Sequence, residues 1–280
     1  MKKLSLFLAF LCLVCLLCLP ALAQDAAQDV SHYLLLGFDF WGDTQIGASF
    51  NDTNILLSLD RTNGRILIAT IMRDSYVTLP DGRESKLNQV VRKSDFETMV
   101  QTVENTLGIE IEAYFAIGAP GFARLIGELG GVEVDISQSE YDSLKERDMV
   151  DNIPGPGKQV LRGNGLYAYL RDRHMGGGDR ARTGKAQDIV AQLVRQASEM
   201  SPVEMVSFAN SALSEIETNA SLTDLMGLVT AAFSLRDASI ETFTLPAEDT
   251  YHFATVHGSS TVAADWAANR ALYAAFIRGE

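Results

Sequence analysis

The chain has 280 residues, 47% of them hydrophobic, with a mean hydropathy of +0.05, which is enough apolar material for a full core. Its net charge of −13 excludes bulk attraction to nucleic acid or to an anionic membrane surface, so an anionic ligand must be captured by a local basic cluster. All three cysteines, Cys12, Cys15 and Cys18, fall within the first 23 residues, leaving no disulfide, thiolate nucleophile or cysteine metal site for the rest.

Lys2 and Lys3 lead into the apolar run from Leu4 to Leu19, then Pro20 and Ala21-Leu22-Ala23. This pattern predicts a signal peptide over 1–23 with the exported domain starting at Gln24. A retained membrane anchor is the alternative, although the run is shorter than the roughly 20 apolar residues a spanning helix needs. Either way the domain lies outside the cytoplasm. Cys15-Leu16-Leu17 ahead of Cys18 lacks the small residues of a lipid-attachment site.

Three short apolar stretches follow, at 31–38 (SHYLLLGF), 53–60 (TNILLSLD) and 64–72 (GRILIATIM), and read as buried strands. The pair Asn63-Gly64 predicts a hairpin joining the second and third as antiparallel neighbours. Residues 94–107 have helical spacing at Phe96, Met99, Val100, Val103 and Leu107, with Ser94 as the expected N-cap, Glu97 completing a capping box and Gly108 ending the helix.

A strand at 112–118, a helix at 120–129 closed by Gly130-Gly131, and an edge strand at 132–137 come next. Residues 138–160, with Pro154-Gly155-Pro156-Gly157, read as a loop. Helices are expected near 180–199, 202–217 and 222–234, a strand near 239–245 and a last helix near 261–277. Alternating strands and helices predict an α/β fold: one α-β-α layered domain over 24–280 around a mixed sheet, with core motifs in 33–195 and a helical C-terminal portion in 196–280.

Candidate chemistry sits at strand ends. Asp39 ends the first strand and Asp52 precedes the second, so the two carboxylates can converge at one sheet edge, the oxygen-only donor set that suits Mg²⁺ completed by water and phosphate. The competing reading is that both cap turns. Arg73 ends the apolar third strand with a planar fork suited to phosphate, and Asp74 beside it can pair with it or orient it. Lys86 and Asn88 add a cation and an amide.

From 171 to 185 five bases (Arg171, Arg173, Arg180, Arg182 and Lys185) face two acids (Asp172 and Asp179) around a triple glycine. Asp179 is placed to N-cap the following helix, whose start attracts phosphate. Arg182 shares that helix's apolar face with Ala186 and Ile189, whereas Arg180 falls on another. The competing reading is a solvated helix start. His174 is a candidate acid/base or a plain loop histidine. HExxH, Walker and GxSxG motifs are absent from the sequence.

The ordered segments LLLGFD, NDTNILLSLD, ILIATIMRDSYVTLP, KLN, GFARLIGELGGVEVDI and LRGNGLYAYLRDR…GDRARTGKAQDIV resemble the LytR–CpsA–Psr family of cell-envelope proteins. The resemblance implies a Mg²⁺-dependent phosphotransferase. Such an enzyme moves a glycopolymer from a polyprenyl-pyrophosphate carrier to peptidoglycan at the outer face of the cytoplasmic membrane, with no nucleic-acid partner.

By motif, Asp39 and Asp52 are the metal-associated aspartates, and Arg73, Asp74, Arg171, Arg173, Asp179 and Arg182 the catalytic set. Lys86, Asn88, Lys185 and Gln187 would bind substrate, and an apolar pocket between sheet and helices would take the prenyl tail. The chain departs from the family where Lys185-Ala186 replaces the usual Arg-Gln, where no glycine pair follows the Lys-Asn segment, and where no arginine lies between Asp39 and Asp52. Two other functions fit the same residues: a secreted binder of polyprenyl-linked or anionic glycans, and a lipid pyrophosphatase.

Overall fold

The computed structural model describes residues 29–39, 45–146, 148–150, 153–171 and 178–280. The expected signal segment, Arg173 and His174 lie outside the described residues, as do the side chains at 171 and 178–183. Among the described residues no helix is long and apolar enough to cross a membrane.

In chain order the elements are β1 (Val30–Phe38), β2 (Asn51–Asp60), β3 (Arg65–Ile71), β4 (Tyr76–Thr78), β5 (Glu84–Lys86), the short α1 (Val90–Lys93), α2 (Phe96–Leu107), β6 (Ala113–Gly118), α3 (Ala119–Glu128) and β7 (Val132–Ile136). They continue with α4 (Gln138–Glu146), β8 (Gly157–Leu161), α5 (Gly163–Arg171), α6 (Gly178–Glu199), α7 (Pro202–Leu213) and β9 (Ile216–Thr218). The last are α8 (Leu222–Ser234), β10 (Ser239–Leu245), β11 (Tyr251–Val256), β12 (Ser259–Ala264) and α9 (Trp266–Arg278).

The central sheet has six strands in the order β10-β3-β2-β1-β6-β9. β1, β2 and β3 form an antiparallel meander, β6 adds parallel to β1, and β10 adds parallel to β3. The C-terminal ends of β1, β3, β6 and β10 therefore share one edge with the start of β2. The expected hairpin is present: Asp60 pairs with Arg65 across the turn, and Gly64 has φ +63°, a conformation glycine adopts without strain.

Strand alternation sends side chains to both faces. Leu34, Leu36, Phe38, Leu56 and Ile71 pack with Met99 and Val103 of α2 and Tyr273 of α9. Tyr33, Leu59 and Ile66 point the other way, against Val194 of α6 and Leu228 and Ala231 of α8. Each fully buried side chain of this size contributes about 1.5–3 kcal/mol, so the two faces hold the layers together. A third cluster joins β7 and β8 to α3, α4, α5 and α6 through Ile126, Val134, Leu144, Leu166 and Ile189.

Several expectations need correction. The N-cap of α2 is Asp95, whose carboxylate accepts from Thr98 N at 2.7 Å; Ser94 instead closes α1, its amide bonded to the Val90 carbonyl. The strand at 132–137 is not an edge of the central sheet but pairs with β8 in a separate ribbon, because β9 and β10 cap the two sheet edges. The stretch 138–160 contains α4 and most of β8, and Ser137-Gln138-Ser139-Glu140 is a capping box that announces the helix. α7 stops at Leu213 because the chain extends into β9 at Ile216. The C-terminal portion is not all helical: β11 and β12 form a hairpin over 251–264, and α9 starts only at Trp266 behind the N-cap Asp265.

Candidate active site at the strand ends

The strand-end cluster begins with an irregularity in the β1–β2 ladder. Gly37 pairs with Thr53 and Phe38 with Asn51, leaving Asp52 as the extra residue of a bulge. A bulge turns its side chain out of the regular alternation, here toward the sheet edge. Asn51 and Asn54 are buried on either side; Asn51 donates to Asn54, which donates at 3.4 Å to the Ile71 carbonyl and so ties the start of β2 to the end of β3.

Beyond β3, Met72 N donates to Leu245 O at 2.8 Å, which holds the chain in line with β10 for one more residue. Arg73 then turns to the edge. Its Nη1 donates to Asp52 Oδ1 at 2.7 Å, and its Nε lies 3.7 Å from Asp74 Oδ2. On the other oxygen, Asp74 Oδ1 accepts from Lys86 Nζ at 3.2 Å and from Asn88 Nδ2 at 3.5 Å.

Asn88 is brought there by backbone: its amide donates to Arg73 O at 3.0 Å, and Leu87 N donates to Ser75 O at 2.8 Å. Both Asn88 Oδ1 and Ser75 Oγ are buried without a hydrogen-bond partner among the described residues, which leaves polar atoms for a ligand beside Asp74. Asp39 follows β1, and its carboxylate accepts from the Tyr167 hydroxyl of α5.

Asp39, Asp52, Arg73, Asp74, Lys86 and Asn88 are thus brought to one edge. The side chains of Arg73, Lys86 and Asp52 are 13%, 12% and 18% exposed, so their charges act where water screens them little. Three carboxylates against two cations give this group a net negative sign. An anionic ligand here needs further cations, which the sequence concentrates in the stretch 171–185.

The backbone brings the described parts of that stretch, position 171 and positions 178–185, to the same edge. Gln187 of α6 donates to Phe243 O and, at 3.5 Å, to Thr244 Oγ1, close to the C-terminal end of β10. Seven residues on, Val194 packs with Ile66 and Tyr33 near the opposite end of the sheet. α6 therefore runs antiparallel to β3, and the residues before Gln187 overhang the strand ends by about 10 Å at 1.5 Å per residue. Positions 179 and 182 lie in that overhang, and position 171 ends α5 one turn after Tyr167.

Gln187 and Lys185 do not join the cluster. Gln187 ties α6 to β10, while Lys185 Nζ is 3.2 Å from Glu140 Oε1 of α4 and 3.9 Å from the centre of the Tyr169 ring. Tyr167 and Glu140 were missed by sequence reading. Tyr167 carried no signal, since a helical tyrosine is ordinary core material, whereas Glu140 was marked by its capping box.

Burial, with Glu140, Asp188 and Asp135 nearby, pushes the Tyr169 hydroxyl up to about 12, so it stays protonated at neutral pH. Burial alone would raise Glu140, but the hydrogen bonds from Ser137 and the nearby Lys185 ammonium outweigh it and hold the carboxyl below its ordinary range.

Among curated proteins, the polyisoprenyl-teichoic acid–peptidoglycan teichoic acid transferase TagV of Bacillus subtilis is 28% identical over 207 residues, covering 72% of this chain and 53% of that protein. TagU of Enterococcus faecalis, with the same transferase name, is 27% identical over 199 residues, covering 69% and 62%. The chain thus spans only part of the length of these relatives.

Among solved structures, TagT bound to LIIa-WTA superposes with a TM-score of 0.73 at 21% identity, covering 93% of this chain and 94% of that one. The B. subtilis protein TagT with bound octaprenyl pyrophosphate lipid gives 0.69 at 20%, covering 93% of each. At such identities the likeness establishes the fold, a mixed sheet between helical layers. The sequence match to the LytR_cpsA_psr family runs over residues 20–270, nearly the whole chain, and by that match this protein belongs to the family.

Proposed function

We propose that the protein transfers a teichoic-acid- or capsule-like glycopolymer from a polyprenyl-pyrophosphate carrier to peptidoglycan, forming a phosphodiester. The observation that carries this reading is the strand-end group Asp39, Asp52, Arg73, Asp74, Lys86 and Asn88 beneath the overhanging start of α6, in a chain whose relatives TagV and TagU are named teichoic acid transferases. The domain works outside the cytoplasm, exported or held at the outer face of the cell membrane.

Mg²⁺ is part of the proposal. The donor set fits it: Asp39 and Asp52 offer hard carboxylate oxygens from adjacent strand ends, with phosphate and water left to complete the shell. When bound there it supplies positive charge against the pyrophosphate. The protein's own groups do the positioning. Arg73 presents its guanidinium to phosphate oxygens, and Asp74, spanning Arg73 and Lys86, fixes the spacing of the two cations. The family motif assigns Arg171, Arg173 and Arg182 to the phosphate clamp that completes the site.

A sugar hydroxyl of the acceptor attacks the phosphorus bearing the glycan, and the bond to the bridging oxygen breaks, releasing polyprenyl phosphate. Preorganised charge stabilises that leaving group and accounts for most of the rate. Asp74 already accepts from Lys86 and Asn88, which makes it an orienting group and favours Asp179 as the base that takes the hydroxyl proton. The proposed seat of the prenyl chain is the apolar face of the sheet toward α6 and α8, where Leu57, Phe115, Val194 and Leu228 are half-buried.

The test is release of polyprenyl phosphate from a lipid-linked teichoic acid donor, with and without Mg²⁺ and with and without peptidoglycan. Release that needs both supports the transferase. Release without acceptor indicates a lipid pyrophosphatase, and binding without release indicates a glycan binder; either result overturns the proposal.

A further inference from the structure

The least expected feature near the basic segment is the fate of Lys185. It stands where the family usually has an arginine, yet its side chain is only 10% exposed and its partner Glu140 only 9%. Among the described residues the ammonium touches Glu140 Oε1 at 3.2 Å, the Tyr169 ring at 3.9 Å and the Tyr169 carbonyl at 3.5 Å. Glu140 is itself fixed, because its other oxygen accepts from Ser137 N at 2.6 Å in the α4 capping box. These contacts join three helices. Tyr169 lies two residues before the end of α5, and Lys185 lies two turns into α6, so the ammonium links the two helices that flank residues 172–177.

We propose that Glu140 and Lys185 are positioning residues: a buried brace that sets the spacing of α5 and α6, and with it the separation of positions 171 and 182. This rests on the reading of the arginines at those positions as part of a phosphate clamp. An ion pair this deep is costly to dehydrate and is retained where it fixes geometry; removing one partner strands the other charge, whereas replacing both with neutral groups of similar size removes the penalty with the pair. A lysine suits the place because its compact ammonium can sit over a ring and beside one carboxylate oxygen, while a guanidinium is broader and planar. To reach a phosphate, Lys185 would have to leave all three contacts.

The experiment compares Glu140→Gln, Lys185→Met, Lys185→Arg and the double variant Glu140→Gln/Lys185→Met in full-length protein. It measures binding of geranylgeranyl pyrophosphate, donor turnover and melting temperature. The brace predicts that each single variant loses tenfold or more in turnover, that Lys185→Arg also loses about fivefold, and that the double variant regains the melting temperature of wild type while its turnover stays as low as that of the single variants.

A direct phosphate contact predicts the opposite pattern: Lys185→Arg retains or gains activity, and Glu140→Gln, which frees the ammonium for phosphate, keeps its turnover. Single variants that melt lower but bind and turn over within twofold of wild type would reduce the pair to ordinary packing and also overturn the proposal. Should Glu140→Gln not fold, Lys185→Arg and the double variant carry the comparison. Wild-type protein that binds no geranylgeranyl pyrophosphate refutes the transferase reading instead. The brace is then decided by melting temperature, where additive single effects would reject it.

Discussion

Arg73→Lys isolates what the arginine's shape contributes. The guanidinium reaches two carboxylates from different segments, Asp52 at 2.7 Å through Nη1 and Asp74 at 3.7 Å through Nε. A lysine keeps the charge but has one ammonium on a flexible stem, so it can serve one of these partners and not hold the fork between them. A hydrogen bond to a charged group is worth about 1.5–3 kcal/mol, and each 1.36 kcal/mol is tenfold, so losing one such contact in the transition state lowers turnover by roughly 10- to 150-fold.

Stability should barely respond to this change. The charge is kept and one contact survives, so the loss is about that of one net hydrogen bond, about 1 kcal/mol or roughly 2–4 °C in a domain of this size. Donor turnover and melting temperature are measured side by side, with Arg83→Ala as control. Arg83 pairs with Asp81 at 2.6 Å but is 63% exposed, so its removal should change turnover less than twofold. Arg73→Lys at half the wild-type rate or better, alongside an inactive Arg73→Ala, would mean that only charge matters at this position and would refute the fork.

Asp39→Asn and Asp52→Asn should each abolish Mg²⁺-dependent turnover with the fold intact by circular dichroism; near-normal turnover of both removes the metal from this edge. Arg182→Ala should lower transition-state stabilisation by about 2–4 kcal/mol, the scale of one preorganised charge-stabilising donor, and Arg180→Ala by under about 1 kcal/mol, as for an exposed charge. The reverse order would mean that the helix phase is wrong.

A pH prediction concerns Asp60, fully buried against Arg65 at 2.6 Å. Burial alone would raise its carboxyl, but hydrogen bonds from Asn63 and Arg65 hold it below its ordinary value. A carboxyl depressed in the folded state stabilises above its unfolded value of about 3.9, and that contribution is lost as pH falls through the lower folded value. Melting temperature should therefore drop below about pH 4, and Asp60→Asn should flatten that limb while lowering stability near neutrality by about 1.5–3 kcal/mol. An unchanged acid limb in Asp60→Asn would place the acid sensitivity elsewhere.

The sequence by itself determined what periodicity and local chemistry can encode. The three apolar runs at 31–38, 53–60 and 64–72 read as buried strands, and Asn63-Gly64 set the antiparallel pairing of the second and third. The positions of Asp39, Asp52 and Arg73 at strand ends followed from the same pattern, since a polar residue closing an apolar run marks where the strand leaves the core. Short polar elements were not legible. β8, β9 and the β11–β12 hairpin have weak alternation and exist because an edge or another strand was available to pair them. α4 was legible only through its capping box.

Only the tertiary structure decided which strand-end groups meet. The bulge that frees Asp52, the Asn88 amide hung on the Arg73 carbonyl, and the α6 overhang that brings positions 179 and 182 to the edge all depend on contacts between residues far apart in sequence. The same holds for Lys185. Its charge and its place in a basic run pointed to a phosphate, but an ammonium goes to the nearest carboxylate that can be buried with it. That partner, Glu140, lies 45 residues earlier on a helix that the fold packs against α6.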